Sequence, residues 1–171
     1  MTTVFIDTPA IPDNIDLAYL EQNALWMIMD PWYPHPWQHD VIADPLINER
    51  ADTMVDKICQ YLPSLKHVKL SCPKRFPVHQ KLSHIENIYN ETPGVQRGDI
   101  CVHEYMKQHN LKDIVYTGFH LGRCILRKET GAIQMNRYGY RTWQKRDLVA
   151  VLITDNADHM DAESKKWLTY V

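Results

Sequence analysis

One stretch constrains this chain more than any other: Asp113–Leu126, which reads DIVYTGFHLGRCIL. Ile114, Val115 and Tyr116 form a β-branched and aromatic run that suits a buried strand of a parallel sheet. Gly118 breaks the run and Gly122 follows, so the chain turns sharply before the next element. Cys124 then stands in the first turn of a predicted helix from Arg123 to about Asn136. Peptide dipoles at a helix N-terminus favour the thiolate, which is the nucleophilic form of cysteine. The plainer alternative is a small apolar residue packed under a helix. The order strand, glycine, turn, cysteine, helix favours a functional thiol.

The remaining elements place that turn in an α/β frame. Residues 1–22 carry two prolines and little apolar periodicity, and read as an N-terminal arm ahead of one domain over 23–171. Ala24–Met29 (ALWMIM) is a buried strand with Asp30 at its carboxyl end. The segment PWYPHPWQHD has three prolines and is irregular. A helix capped by Asp44 or Asn48 follows, with Ala51, Met54, Val55, Ile58 and Leu62 on one face. His67–Cys72 is a second strand, Asn87–Asn90 a short third one, and Asp99 to about Asn110 a helix. A last strand is expected around Leu148–Leu152, and Asp158–Tyr170 as a short helical tail with Trp167 packing back. Strands alternating with helices predict a three-layer α/β/α, Rossmann-like domain with a mostly parallel sheet. Sites in such sheets lie beyond the carboxyl ends of the strands, and there Asp30 meets the Cys124 turn.

Composition removes several function classes. The 171 residues suit one domain, and a net charge of -2 gives no electrostatic case for nucleic acid or an anionic membrane surface. No apolar stretch approaches the roughly 20 residues that cross a bilayer, and the start, MTTVFIDTPAIPDN, lacks the pattern of a secretion signal. Cys59, Cys72, Cys101 and Cys124 are widely spaced with no CxxC pair, which fits free thiols in a reducing, cytoplasmic setting.

Asp30, Gly118 and Cys124 in this order resemble the isochorismatase-like cysteine hydrolases, the superfamily of nicotinamidases and N-carbamoyl amidohydrolases. The resemblance runs from about Ala24 to Leu152. Its most specific part is a glycine followed six residues later by a nucleophilic cysteine that opens a helix, and the Gly139-Tyr140 turn fits the family's approach to the last strand. It implies Cys124 as nucleophile, Asp30 as base, a cis peptide at Phe119–His120, and an oxyanion hole from the backbone N–H groups of His120 and Cys124. It also implies a structural aspartate, for which Asp147 is the candidate, and assembly into homo-oligomers. A lysine completes the family's catalytic set. The matching stretch, HIENIYNETP, has none, and Asn90 stands at the expected position; Lys74, Arg75 or Lys81 would have to reach in from elsewhere.

Asn90, Phe119 and Trp32 are the expected substrate contacts. Arg123 either lowers the thiol pKa or binds a carboxylate, with a surface charge as its plain alternative, and Asp155, Asp158 and Asp161 read as a solvated tail. His79 and His84 have no strong ligand spacing, so no metal and no cofactor is expected. The leading expectation is a hydrolase that cleaves a C–N bond of a small amide or carbamoyl compound. The rivals are a catalytically silent binding or assembly member of the fold, suggested by the missing lysine, and a vinyl-ether hydrolase that needs no thiol.

Overall fold

The computed structural model describes residues 15–36, 46–89, 97–152 and 155–171. Five strands form one sheet: β1 (Ala24–Met29), β2 (His67–Ser71), β3 (Asp113–Phe119), β4 (Arg141–Ala150) and β5 (Thr169–Tyr170). Their order is β2-β1-β3-β4-β5, and every neighbouring pair is parallel. The chain leaves β1 outward to β2, then crosses back to lay β3 on the other side of β1. The order therefore reverses between β1 and β3, which opens a crevice at their carboxyl ends.

The helices are α1 (Leu17–Asn23), α2 (Ile47–Tyr61), α3 (Gly98–Gln108), α4 (Cys124–Arg127), α5 (Ala132–Arg137) and α6 (Ala157–Ser164). Strand alternation sorts them into two layers. Leu25, Met27 and Met29 of β1 pack with Val102 and Met106 of α3, Leu126 of α4 and Met135 of α5. Ala24, Trp26 and Ile28 face the other way, against Leu20 of α1 and Val55 and Ile58 of α2. All six residues of β1 are buried, and each large apolar one contributes roughly 1.5–3 kcal/mol of transfer free energy. Among the described residues, no helix is long and apolar enough to cross a membrane.

Several elements depart from the sequence expectations. The end of the expected N-terminal arm is α1, capped by Asp16, whose carboxylate accepts the Tyr19 N–H at 2.8 Å. Leu20 is fully buried and its carbonyl accepts the Trp26 indole N–H at 3.0 Å, so this end of the arm packs on the domain. Residues 1–14 and Asp44 lie outside the described residues, and Asn48 does not cap α2; its Oδ1 accepts the His35 N–H. Asn87 makes only an isolated bridge to Leu70, not a strand. The last large strand starts earlier than expected, at Arg141. Its charged middle, Lys145-Arg146-Asp147, hides it from a pattern reading, because the register against β3 slips between Tyr116 and Gly118 and turns Arg146 and Asp147 to solvent.

The structural aspartate is Asp113 rather than Asp147. Asp113 is wholly buried at the start of β3 and accepts Arg141 Nε and Nη2 at 2.7 and 2.8 Å and the Trp143 indole at 2.9 Å. Asp147 is half exposed and meets only Lys145 among the described residues.

Candidate active site

Gly118 sets the distance between the two halves of the site. Its φ is +94°, and a Cβ there would run into the Met29 carbonyl oxygen and lie 2.9 Å from the Met29 nitrogen. Only a glycine lets β3 approach β1 this closely, one residue before Asp30. After the cis Phe119–His120 peptide the chain turns through Gly122, also at positive φ, where a Cβ would strike Met160 of α6. Cys124 follows as the first residue of α4.

The predicted helix from Arg123 to Asn136 is two helices with a break between them, and the break matters more than either. Lys128 caps α4 in an extended conformation, and Gly131 sits so close to the Ile125 and Leu126 carbonyls that a Cβ would lie 2.9 and 2.8 Å from them. Thr130, fully buried, pins the turn: its hydroxyl is 2.7 Å from Ser71 Oγ, and its carbonyl accepts the Tyr116 hydroxyl at 2.7 Å. Lys128 is thereby turned back over the sheet edge. Its Nζ lies 2.6 Å from Asp30 Oδ1 and 2.9 Å from the Ser71 carbonyl, 4.7 Å above the Tyr89 ring. Its side chain is only 10% exposed and that of Asp30 4%.

A cation thus stands beside the carboxylate and the thiol, supplied from the chain just beyond Cys124. Lys74, Arg75 and Lys81 do not make this contact; Lys81 pairs with Asp56 at the surface. The sequence reading missed Lys128, although the signal was present. Residues i and i+4 share a helix face, and Lys128 is four residues beyond Cys124.

Electrostatics at the thiol differ from the helix-terminus expectation. Cys124 is pushed up to about 12, first by burial, then by the neighbouring Asp30 charge and its hydrogen bond to that carboxylate; Lys128 and Arg123 pull it down less. One turn of helix carries too little dipole to reverse this. Burial also raises the Asp30 carboxyl against the opposing pull of Lys128. The resting arrangement is a protonated thiol hydrogen-bonded to a carboxylate that an ammonium holds.

Asp30, Trp32, Tyr89, Cys124, Arg127 and Lys128 line a cavity of about 690 Å³, with His159, Met160 and Glu163 of α6 on the opposite wall. Trp32 is fixed by its indole N–H on the Pro73 carbonyl at 3.2 Å. Phe119 does not reach this cavity; it is buried against Ala51 and Ala150. Asn90 lies outside the described residues. His120 is buried beside His35 and Phe119, and burial first, then His35, Arg50 and Arg123, holds its imidazole well below the usual range. Asp155 is no solvated tail residue: its carboxylate, 7% exposed, takes two hydrogen bonds from Arg123.

Of the histidines considered for a metal, His84 is exposed and His79 is engaged. His79 Nε2 is 2.6 Å from Asp52 and its ring packs on Tyr33. Among the described residues no three histidine, cysteine or acidic side chains converge to hold an ion. None of the four cysteines is in a disulfide.

Comparison with protein-family models and with curated proteins returns no match. Solved structures do match in fold. An isochorismatase-like hydrolase from Alkaliphilus metalliredigens superposes with a TM-score of 0.61 at 11% identity, over 87% of this chain and 94% of its own. The pyrazinamidase of Pyrococcus horikoshii, solved in complex with zinc, gives 0.58 at 11% over 88% and 98%. The yeast nicotinamidase bound to the inhibitor nicotinaldehyde gives 0.58 at 10% over 86% and 99%. The chain has the isochorismatase-like fold.

Proposed function

We propose that this protein hydrolyses a C–N bond of a small amide or carbamoyl compound through a cysteine thiolate. The observation that carries the reading is the contact of Lys128 Nζ with Asp30 Oδ1 at 2.6 Å beside Cys124. Carboxylate, ammonium and thiol meet at the floor of a cavity large enough for a small substrate.

The chemistry follows from the resting protonation. Asp30 accepts the Cys124 proton as Sγ attacks the carbonyl carbon, so the thiolate exists only as it is consumed. Lys128 stays charged and holds Asp30 in place. The tetrahedral oxygen is received by the backbone N–H groups of His120 and Cys124, the proposed oxyanion hole. Collapse breaks the C–N bond, and the leaving nitrogen takes the proton from Asp30. Water, giving a proton to Asp30, then attacks the thioester; the acid leaves and the thiol regains its proton. Trp32 and Tyr89 supply flat walls for a planar acyl group.

The silent-member reading rested on a missing cation, and Lys128 removes that reason. The test is ammonia release from a panel of primary amides and carbamoyl compounds, with mass spectrometry of the Cys124 peptide during turnover. Activity abolished in Cys124→Ser, with an acyl adduct on the wild-type thiol, supports the thiol route. Ammonia release that survives Cys124→Ser refutes it. Sedimentation of the same preparation tests the expected homo-oligomer.

A further inference from the structure

The charged groups around the cavity do not cancel, and the surplus has a direction. Lys128 is matched by Asp30 at 2.6 Å and Arg123 by Asp155 through two contacts of 2.7 Å. Of the remaining lining groups, Arg127 is cationic and Glu163 is anionic. Glu163 already faces Lys166, with Oε1 3.4 Å from Nζ. Arg127 stands three residues after Cys124, one turn along α4, so both side chains leave the helix on the same side. Among the described residues no carboxylate pairs with it, and it lines the same cavity as the thiol.

A guanidinium fork one helical turn from a nucleophile is suited to a planar anion. We infer that the substrate is an amide bearing a carboxylate, with Arg127 gripping the carboxylate while Cys124 attacks the amide carbon. This rests on the hydrolase reading and adds to it the charge of the substrate. Because Arg127 is exposed, its grip acts through partly solvated contacts. The expected preference is accordingly modest, on the order of 5–10-fold.

Two experiments separate this inference from the reading beneath it. The first needs no turnover. Cys124 is alkylated with iodoacetate and with iodoacetamide, and the rate ratio at its peptide is compared with the ratio on a simple free thiol. A ratio about 5–10-fold above the free thiol, falling in Arg127→Gln, supports the inference; a ratio at or below the free thiol overturns it. The second compares kcat/KM for succinamate and for the neutral butyramide. A preference for succinamate that shrinks in Arg127→Gln, through KM rather than kcat, supports it, whereas equal values in both proteins overturn it. Anion-selective alkylation in a protein that hydrolyses no amide would sink the hydrolase and leave the anion site standing.

Discussion

Arg123 reaches Asp155 with both arms of its guanidinium, Nε to Oδ2 and Nη2 to Oδ1, each at 2.7 Å. The pair fastens the residue preceding the nucleophile to the segment that leads into α6, and α6 forms one wall of the cavity. Asp155→Ala removes two hydrogen bonds from a half-buried guanidinium, and the expected loss is about 1–3 kcal/mol. The midpoint of urea unfolding measures it, and Asp155→Asn, which retains an acceptor, should fall between the two.

Lys128 is the residue on which catalysis should depend most after Cys124 and Asp30. Lys128→Met removes the ammonium while preserving much of the stem, and kcat for amide hydrolysis should drop roughly 10²–10⁴-fold. Lys128→Arg restores charge but not the compact geometry, and should recover part of the loss. Steady-state ammonia release gives both numbers, and a Lys128→Met protein with undiminished kcat would remove Lys128 from the mechanism.

The pH profile of the thiol should run opposite to that of a typical activated cysteine. With Cys124 pushed up to about 12, its alkylation by iodoacetamide should keep climbing beyond the roughly 8.5 of a free thiol. Asp30→Asn removes a charge that raises the thiol, so the midpoint should move down while amide hydrolysis is lost for want of a base. Stability follows with a definite sign. Above about pH 8.5 the unfolded thiol ionises while the folded one keeps its proton, so the folded state binds more protons and stability falls as pH rises. Cys124→Ala should remove that component of the slope between about pH 8.5 and 12, as read from unfolding midpoints across the range.

Two glycines with similar backbone angles should respond differently to a methyl group. Gly118 and Gly139 have φ of +94° and +92°, but a Cβ at Gly118 collides with Met29 whereas at Gly139 nothing lies within 4 Å. Gly139→Ala bears only the conformational cost, about 1 kcal/mol. Gly118→Ala should cost about 2–4 kcal/mol and also weaken hydrolysis, since Met29 carries Asp30. Thermal melts and activity of the two variants, side by side, provide the check.

The parallel sheet, the turn after β3 and the meeting of Asp30 with Cys124 were legible because each depends on local signals: apolar runs of strand length, and glycines where the backbone must bend. What escaped depended on contacts distant in sequence. Asp155 looked solvated until the fold brought Arg123 to it, 32 residues away. Asp113 and Asp147 both sit near charged neighbours in sequence, and only the strand pairing of β3 with β4 decides which is buried. Asn90 drew attention because the missing cation was sought at one place along the chain. The actual cation came from the break after α4, and that break depends on Thr130 meeting Ser71, 59 residues away.

Placing the cation four residues from the nucleophile changes how such a site can be inherited. Cys124 and Lys128 lie four residues apart, so a single local segment carries two of the three proposed reacting groups, and only Asp30 must be matched to it from elsewhere. The connection between β2 and α3 then need not supply the ammonium, although its Tyr89 still lines the cavity. A lysine need not be kept in that connection for carboxylate, ammonium and thiol to stay together.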